Sequence, residues 1–350
     1  MARRWPLPIA LLAVLVLVAA AAVAGGTAAV AGGLAPGATG AAGGPVPAAR
    51  AAASGPSLQL VAEPQAGNAP FLAMIDGARH SVELTMYELY DTQIEAALAG
   101  AAKRGVDVRV LLNGGYYNER ESDNAAAYGY LRSHGVHVRY TPTYFALTHQ
   151  KTLTVDGDES AVMTLNFDGE YATTRDFAVL DRQPADVREI VSAFDADWSG
   201  RQITPSSGTG DLIWSPGAES AVLKLIASAR SSIDVENEEM DYAPATEALC
   251  AAARRGVKVE VVMTYESDWK RALSELSGCG AKVHLHYGQR YYIHAKLLLV
   301  DGRTALVSSQ NLSTTSLKYN RELGIDVTTR AIVSQLERDF ASDYAGGSSS

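Results

Sequence analysis

The alternation of apolar runs with amphipathic stretches along this chain is written twice. Short runs rich in leucine and β-branched residues, at Leu58–Val61, 81–86, 106–112 and 136–140, predict strands. The same series returns at Leu212–Trp214, 232–236, 257–263 and 282–287. Between the second and third strand of each series the apolar positions take helical spacing. Those stretches, 92–104 and 243–255, close on Lys103-Arg104-Gly105 and Arg254-Arg255-Gly256, the charge and cap expected at a helix C-terminus. Each series then gains a further strand, opening at "HQKTLTVD" (149–156) or "HAKLLLVD" (294–301). An Asp-Gly turn leads to a hairpin partner, and a last helix completes the unit.

The echo extends to residue identity. "ARHSVEL" at 78–84 answers "ARSSIDV" at 229–235, and "FDADW" at 194–198 answers "FASDY" at 340–344. Arg104, Gly105 and Val106 recur as Arg255, Gly256 and Val257, 151 residues on, while His149 recurs as His294, 145 residues on. A period this long excludes a solenoid and indicates a duplicated domain. Strands alternating with helices predict an α/β fold of two homologous α/β/α halves, 57–204 and 205–345. Two such halves can pack about a pseudo-twofold axis, as an isologous dimer does, with one site at their interface.

The ends read differently. Arg3 and Arg4 precede an apolar run, Leu7 to Ala24, with a small-residue cleavage point after Ala24. Residues 1–24 are thus expected to be a signal peptide, or else a retained membrane anchor, of an exported protein. Residues 25–56, rich in Ala, Gly and Pro, are expected to be a disordered linker, and the tail "AGGSSS" is read the same way. Without Arg3 and Arg4 the net charge of −9 becomes −11. So acidic a chain is a poor match for an extended nucleic acid, whose binding rests on neutralised phosphates. Cys250 and Cys279, an even pair in an exported chain, predict one disulfide.

The candidate chemistry lies in the duplicated His-x-Lys-x4-Asp frame. Residues i and i+2 of a strand share a face, so His149 projects with Lys151 and His294 with Lys296. Ten residues beyond Asp156 and Asp301 stand Asn166, ending "MTLN", and Asn311, ending "SSQN". The hairpin returns each asparagine beside its pair. Each half then offers an imidazole, an ammonium and an amide, groups that suit a phosphate.

This constellation resembles the phospholipase D superfamily, over roughly residues 57–345. The resemblance implies a phosphohistidine intermediate, with His149 as nucleophile and His294 as general acid. Lys151, Lys296, Asn166 and Asn311, with Thr164 and Ser309, would hold the phosphate oxygens. Asp176 in "TRDFAV" and Glu322 in "NRELGI" would be the carboxylates that orient the imidazoles. Asp156 and Asp301, each at a strand end before glycine, are given a structural role in the turn. The first half departs from the family pattern at Met163 and Thr164: Thr164 keeps the hydroxyl, Met163 adds bulk near the phosphate, and no candidate catalytic group is removed. The resemblance implies neither metal nor cofactor.

The favoured reading is an exported phospholipase D-type hydrolase acting on glycerophospholipids as a monomer, meeting the membrane through its substrate. A secreted nuclease of the same superfamily and a cardiolipin synthase-like phosphatidyltransferase are the alternatives. Tyr116, Tyr117, Tyr144, Phe145, Tyr291 and Tyr292 are candidate mouth aromatics, or else packing residues. Glu236, Glu238 and Glu239 form an acidic cluster at the end of a strand, read as a solvated strand end or as partners of the site lysines, with a metal site as the alternative.

Overall fold

The computed structural model describes residues 56–115, 124–169, 173–203, 205, 210–288 and 291–349. The expected leader, nearly all of the expected linker, and Tyr116 and Tyr117 lie outside them. The first series folds as β1 (Leu58–Glu63), α1 (Ala69–Gly77), β2 (Ser81–Met86), α2 (Thr92–Lys103), β3 (Asp107–Leu112), α3 (Ala125–Ser133), β4 (His137–Tyr140), β5 (Thr152–Val155), β6 (Glu159–Met163), β7 (Thr174–Asp181) and α4 (Pro184–Trp198). The second folds as β8 (Leu212–Ser215), α5 (Glu219–Ser228), β9 (Ser232–Glu236), α6 (Ala243–Arg254), β10 (Lys258–Thr264), α7 (Lys270–Gly278), β11 (Lys282–His286), β12 (Tyr292–Ile293), β13 (Leu297–Val300), β14 (Thr304–Ser308), α8 (Thr314–Lys318), β15 (Glu322–Val327), α9 (Arg330–Gly346) and β16 (Ser348–Ser349).

Local chemistry sets these boundaries. Asp91 caps α2 by accepting from the Gln93 and Ile94 amides, and the helix buries Ile94, Leu98 and Ala101 before Gly105 turns the chain at φ 90°. The hairpin turns at Asp156-Gly157 and Asp301-Gly302 have positive φ at both residues, as a type I′ turn requires. The left-handed aspartates are held there by their own carboxylates. Asp156 accepts from the amides of Arg79, His80 and Ser81, and Asp301 from those of Arg230, Ser231 and Ser232, at 2.7–3.1 Å. Burial opposes these charges, but the amides outweigh it, lowering Asp156 and holding Asp301 at about 2.

The two sheets share one order. The first runs β1-β7-β6-β5-β2-β3-β4, and the second runs β8-β15-β14-β13-β9-β10-β11, with β16 added at its edge. β2, β3 and β4 are mutually parallel, as are β9, β10 and β11, while the remaining neighbours within each sheet are antiparallel. The tail departs from expectation: Ser348 and Ser349 pair with Leu285 and His284. An edge strand offers open backbone groups, and Gly347, whose Cβ would lie 3.2 Å from that of His284, lets the chain approach.

Each half buries its own cluster, centred on residues such as Phe71, Leu84 and Phe167 or Ile226, Val235 and Met263. A third cluster joins them. It gathers Val162, Phe177 and Ile190 from the first half with Trp214, Leu297, Val307, Ile325 and Phe340 from the second. The halves therefore meet over a shared apolar core.

Candidate active site

Each His-Lys pair stands at the same end of its sheet. β5 runs antiparallel to β2, and β13 to β9, so both pairs lie at the C-terminal ends of the parallel strands. That end is where α/β sheets place their ligand crevices. Asp156 and Asp301 lie at the opposite ends of β5 and β13, roughly 17 Å from the lysines at 3.3 Å per residue.

The halves complete one another. Thr148 bridges to Arg321, and the amides of His149 and Gln150 both donate to the Arg321 carbonyl, at 3.0 and 2.9 Å. In the matching place β12 pairs with β7, and the amides of His294 and Ala295 donate to the Arg175 carbonyl. These crossed pairings carry each acid to the opposite histidine. His149 Nδ1 lies 3.0 Å from Glu322 Oε2, and His294 Nδ1 lies 2.8 Å from Asp176 Oδ1. His149 Nδ1 also faces the Ser309 carbonyl at 3.1 Å. Two acceptors there fix the proton on Nδ1 and leave the Nε2 lone pair for attack.

The two carboxylates are themselves anchored. Glu322 accepts from Ser316 Oγ at 2.6 Å and Asn320 Nδ2 at 2.9 Å; Asp176 accepts from Thr164 Oγ1 at 2.5 Å and Thr174 Oγ1 at 3.0 Å. Thr164 and Ser309 therefore need correcting as phosphate ligands. The Thr164 hydroxyl is fully buried against Asp176, and the Ser309 hydroxyl accepts from the Leu323 amide at 3.2 Å. The Thr164 hydroxyl thereby anchors Asp176, while that of Ser309 holds the β15 backbone beside Glu322.

A second layer of crossed pairs was missed. Arg175 reaches Asp343 at 2.5 Å, and Arg321 reaches Asp197 at 2.8 Å, each pair joining opposite halves and almost wholly buried. The signal was present in the sequence: an arginine precedes the acid in both "TRDF" and "NREL", and the acids come from the paired "FDADW" and "FASDY". The aromatics before the histidines serve this layer. Tyr144 donates to Asp197, Tyr291 donates to Asp343, and Phe145 is buried beneath the Arg321 guanidinium. They pack the interface; Tyr292 instead donates to Glu238 at 3.3 Å.

Charge is arranged unevenly. Burial, then Lys151, push the His149 imidazole down to about 4, so it is neutral at physiological pH. Burial and Lys296 push Lys151 down to about 7. Burial works against the charges of Asp176 and Glu322, but His294 beside the first and His149 beside the second outweigh it and lower both. Lys151 Nζ donates to the His149 carbonyl at 2.9 Å, and Lys296 Nζ to the His294 carbonyl at 2.5 Å and to Glu238 at 2.9 Å. Asn166 donates to Glu88 at 3.1 Å, while the Asn311 amide lies buried within the same hairpin return. Burial and the neighbouring Glu238 raise Glu239 to about 7. Away from this centre, the cysteines come together as a Cys250–Cys279 disulfide linking α6 to the end of α7.

Two imidazoles, two ammoniums and two anchored carboxylates meeting across a duplicated fold define a phosphodiester-acting enzyme. The profile of a family described as "Cardiolipin synthase, PLD-like domain" matches residues 71–198 and again 222–344. This chain belongs to the phospholipase D superfamily. It is 27% identical over 285 residues to Cardiolipin synthase B of Escherichia coli K12, covering 68% of this chain and 67% of that protein. Its fold is similar to that of a phosphatidylserine synthase from Haemophilus influenzae, with a TM-score of 0.66, 13% identity, and coverage of 84% of this chain and 87% of the other. It is also similar to a polyphosphate kinase from Porphyromonas gingivalis, with a TM-score of 0.63 and 16% identity over 81% of this chain. It spans only 46% of that kinase.

Proposed function

We propose that the chain transfers phosphatidyl groups from a glycerophospholipid to an alcohol by double displacement at His149 and His294. The observation that carries the chemistry is the crossed pair of histidine–carboxylate contacts, which holds two oriented imidazoles where the halves meet. His149 Nε2 attacks phosphorus, and the bond to the leaving alcohol breaks as His294 gives that oxygen its proton. An incoming alcohol then returns a proton to His294 while its oxygen displaces His149, releasing the new diester and restoring both histidines. Lys151 and Lys296 offset the charge that gathers on the non-bridging oxygens.

Transfer is preferred to hydrolysis because the curated relative above is a cardiolipin synthase. A lipid substrate is preferred to nucleic acid because the chain is acidic, and because of its rim. Among the described residues the large apolar side chains that stand exposed are Tyr90, Tyr140, Tyr265, Tyr287 and Tyr319. Tyr90, Tyr140, Tyr265 and Tyr287 follow or end β2, β4, β10 and β11, and Tyr319 precedes β15, so all five lie at the catalytic end of the sheets. Tyrosine, with an apolar ring and a polar tip, suits a membrane–water boundary. The exported, membrane-facing setting expected from residues 1–24 belongs to this proposal.

The test is to incubate the purified chain with phosphatidylglycerol in mixed micelles. Cardiolipin and free glycerol are the expected products. Phosphatidate alone would make it a hydrolase, and plasmid cleavage without lipid turnover would make it a nuclease.

A further inference from the structure

The two half-sites share their histidine, lysine and asparagine and keep an acid at the crossed position, but at one position their chemistry diverges. Counting 151 residues from Tyr87 reaches Glu238, each just past the strand that pairs beside its His-Lys segment, β2 or β9. In the first half the Tyr87 ring stands edge-on to His149, with centroids 4.6 Å apart, and lies beneath the Lys151 ammonium at 4.9 Å. In the second, the Glu238 carboxylate lies 2.9 Å from Lys296 Nζ and 3.6 Å from His294 Nε2. The Tyr292 hydroxyl donates to its other oxygen. Among the described residues His294 thus has a carboxylate at each ring nitrogen, while His149 has one at Nδ1 and a tyrosine ring at its edge.

We propose that Glu238 is a positioning residue that assigns the two histidines their different roles, keeping a proton on His294 Nε2 so that His294 is the acid and His149 the nucleophile. This deepens the double-displacement reading and rests on it. The groups facing His294 include Asp176 from β7, Glu238 from the loop after β9, and Lys296 two residues along the chain, just ahead of β13. From across the interface, His149 acts on Glu238 and Lys151 on Lys296, while Glu239 faces both Glu238 and Lys296. At His149 the carboxylate in contact is Glu322, at Nδ1, and Tyr87 stands where Glu238 stands in the other half; burial and Lys151 keep that ring neutral. At His294 carboxylates stand at both ring nitrogens, Asp176 at Nδ1 and Glu238 at Nε2, the nitrogen that must deliver the proton.

Glu238→Gln keeps the size and removes the charge. With ¹⁵N-labelled histidine, the midpoint of the His294 titration should fall by about one pH unit in this variant, the scale of an opposite charge removed at this range. The high-pH limb of kcat/KM for the soluble diester bis(p-nitrophenyl) phosphate should move down with it, because activity is lost once His294 gives up its proton. A residue that merely held the fold would lower the rate equally at every pH. The converse variant, Tyr87→Glu, places a carboxylate against His149 and should raise that residue's midpoint. A His294 midpoint that stays or rises in Glu238→Gln overturns the assignment, as does an unmoved His149 midpoint in Tyr87→Glu. The imidazole titrations do not depend on lipid. Shifted midpoints without phosphatidyl transfer would therefore retire the proposed substrate and leave this inference standing.

Discussion

At the scale of single residues, the two histidines should fail differently. His149→Ala removes the attacking nitrogen and should abolish any labelled phosphoenzyme, lowering turnover by at least about a thousandfold on the scale of combined nucleophilic and acid catalysis. His294→Ala should still allow labelling from a substrate with a good leaving group, such as a nitrophenyl diester. Label found on His294 and none on His149 would reverse the roles. Lys151 adds a pH dependence whose sign can be worked out. Its folded pKa, about 7, lies below the ordinary lysine value. In the free enzyme it therefore loses its charge as pH rises through 7, and KM for a singly charged diester should climb above that pH. Over the same window the unfolded chain holds the proton that the folded chain has lost, so Lys151 should make the fold more stable as pH rises from about 7 toward 10. A KM that stays flat between pH 6 and 9 would contradict the first expectation.

Between elements, the crossed ion pairs do what the hairpin alone cannot. Arg175–Asp343 ties β7 to α9, and Arg321–Asp197 ties the start of β15 to α4. Asp343→Ala would strand a buried guanidinium. It should cost about 3 kcal/mol or more in chemical denaturation, and it should lower activity through the loss of order at Asp176. A change below 1 kcal/mol would show that the pair is dispensable. The Cys250–Cys279 bridge is a different kind of tie, closing a separation of 29 residues within one half. Its counterparts, Ala99 and His134, show that the fold forms without it. Replacing both cysteines by serine should lower stability by about 3.5 kcal/mol in the chain-entropy model, with turnover per folded molecule unchanged.

For the whole molecule, the question is which phosphodiester reaches the cleft. A binder of successive phosphates loses affinity steeply with salt, whereas a surface that meets lipid through tyrosine rings should not. Tyr265 and Tyr287 stand 5.3 Å apart beyond β10 and β11. Changing both to serine should reduce transfer from micelles on the order of tenfold, equivalent to about 1.4 kcal/mol. Turnover of bis(p-nitrophenyl) phosphate should stay the same. Equal losses on both substrates would remove the rim from the account of substrate choice.

The pattern of the chain determined most of its elements and its duplication. Strands at 81–86 and 232–236 fall where the apolar runs predicted, and both amphipathic helices end within one residue of expectation. These features depend on neighbours a few residues apart, whose chemistry a linear reading contains. The same holds for Asp156 and Asp301 at their turns, whereas the His-Lys pairs, expected within a strand, stand just ahead of β5 and β13, which begin at Thr152 and Leu297. What only the tertiary structure decided lies across the pseudo-twofold axis. Glu322 serves His149, 173 residues away, and Asp176 serves His294, 118 residues away. Thr164 and Ser309 read as phosphate ligands until the fold set the first hydroxyl against Asp176 and the second against the Leu323 amide. The 151-residue offset pairs Tyr87 with Glu238, but only the tertiary structure sets one against His149 and the other against His294. Contacts between halves depend on where the shared core brings the ends of two sheets together, and no local spacing encodes that distance.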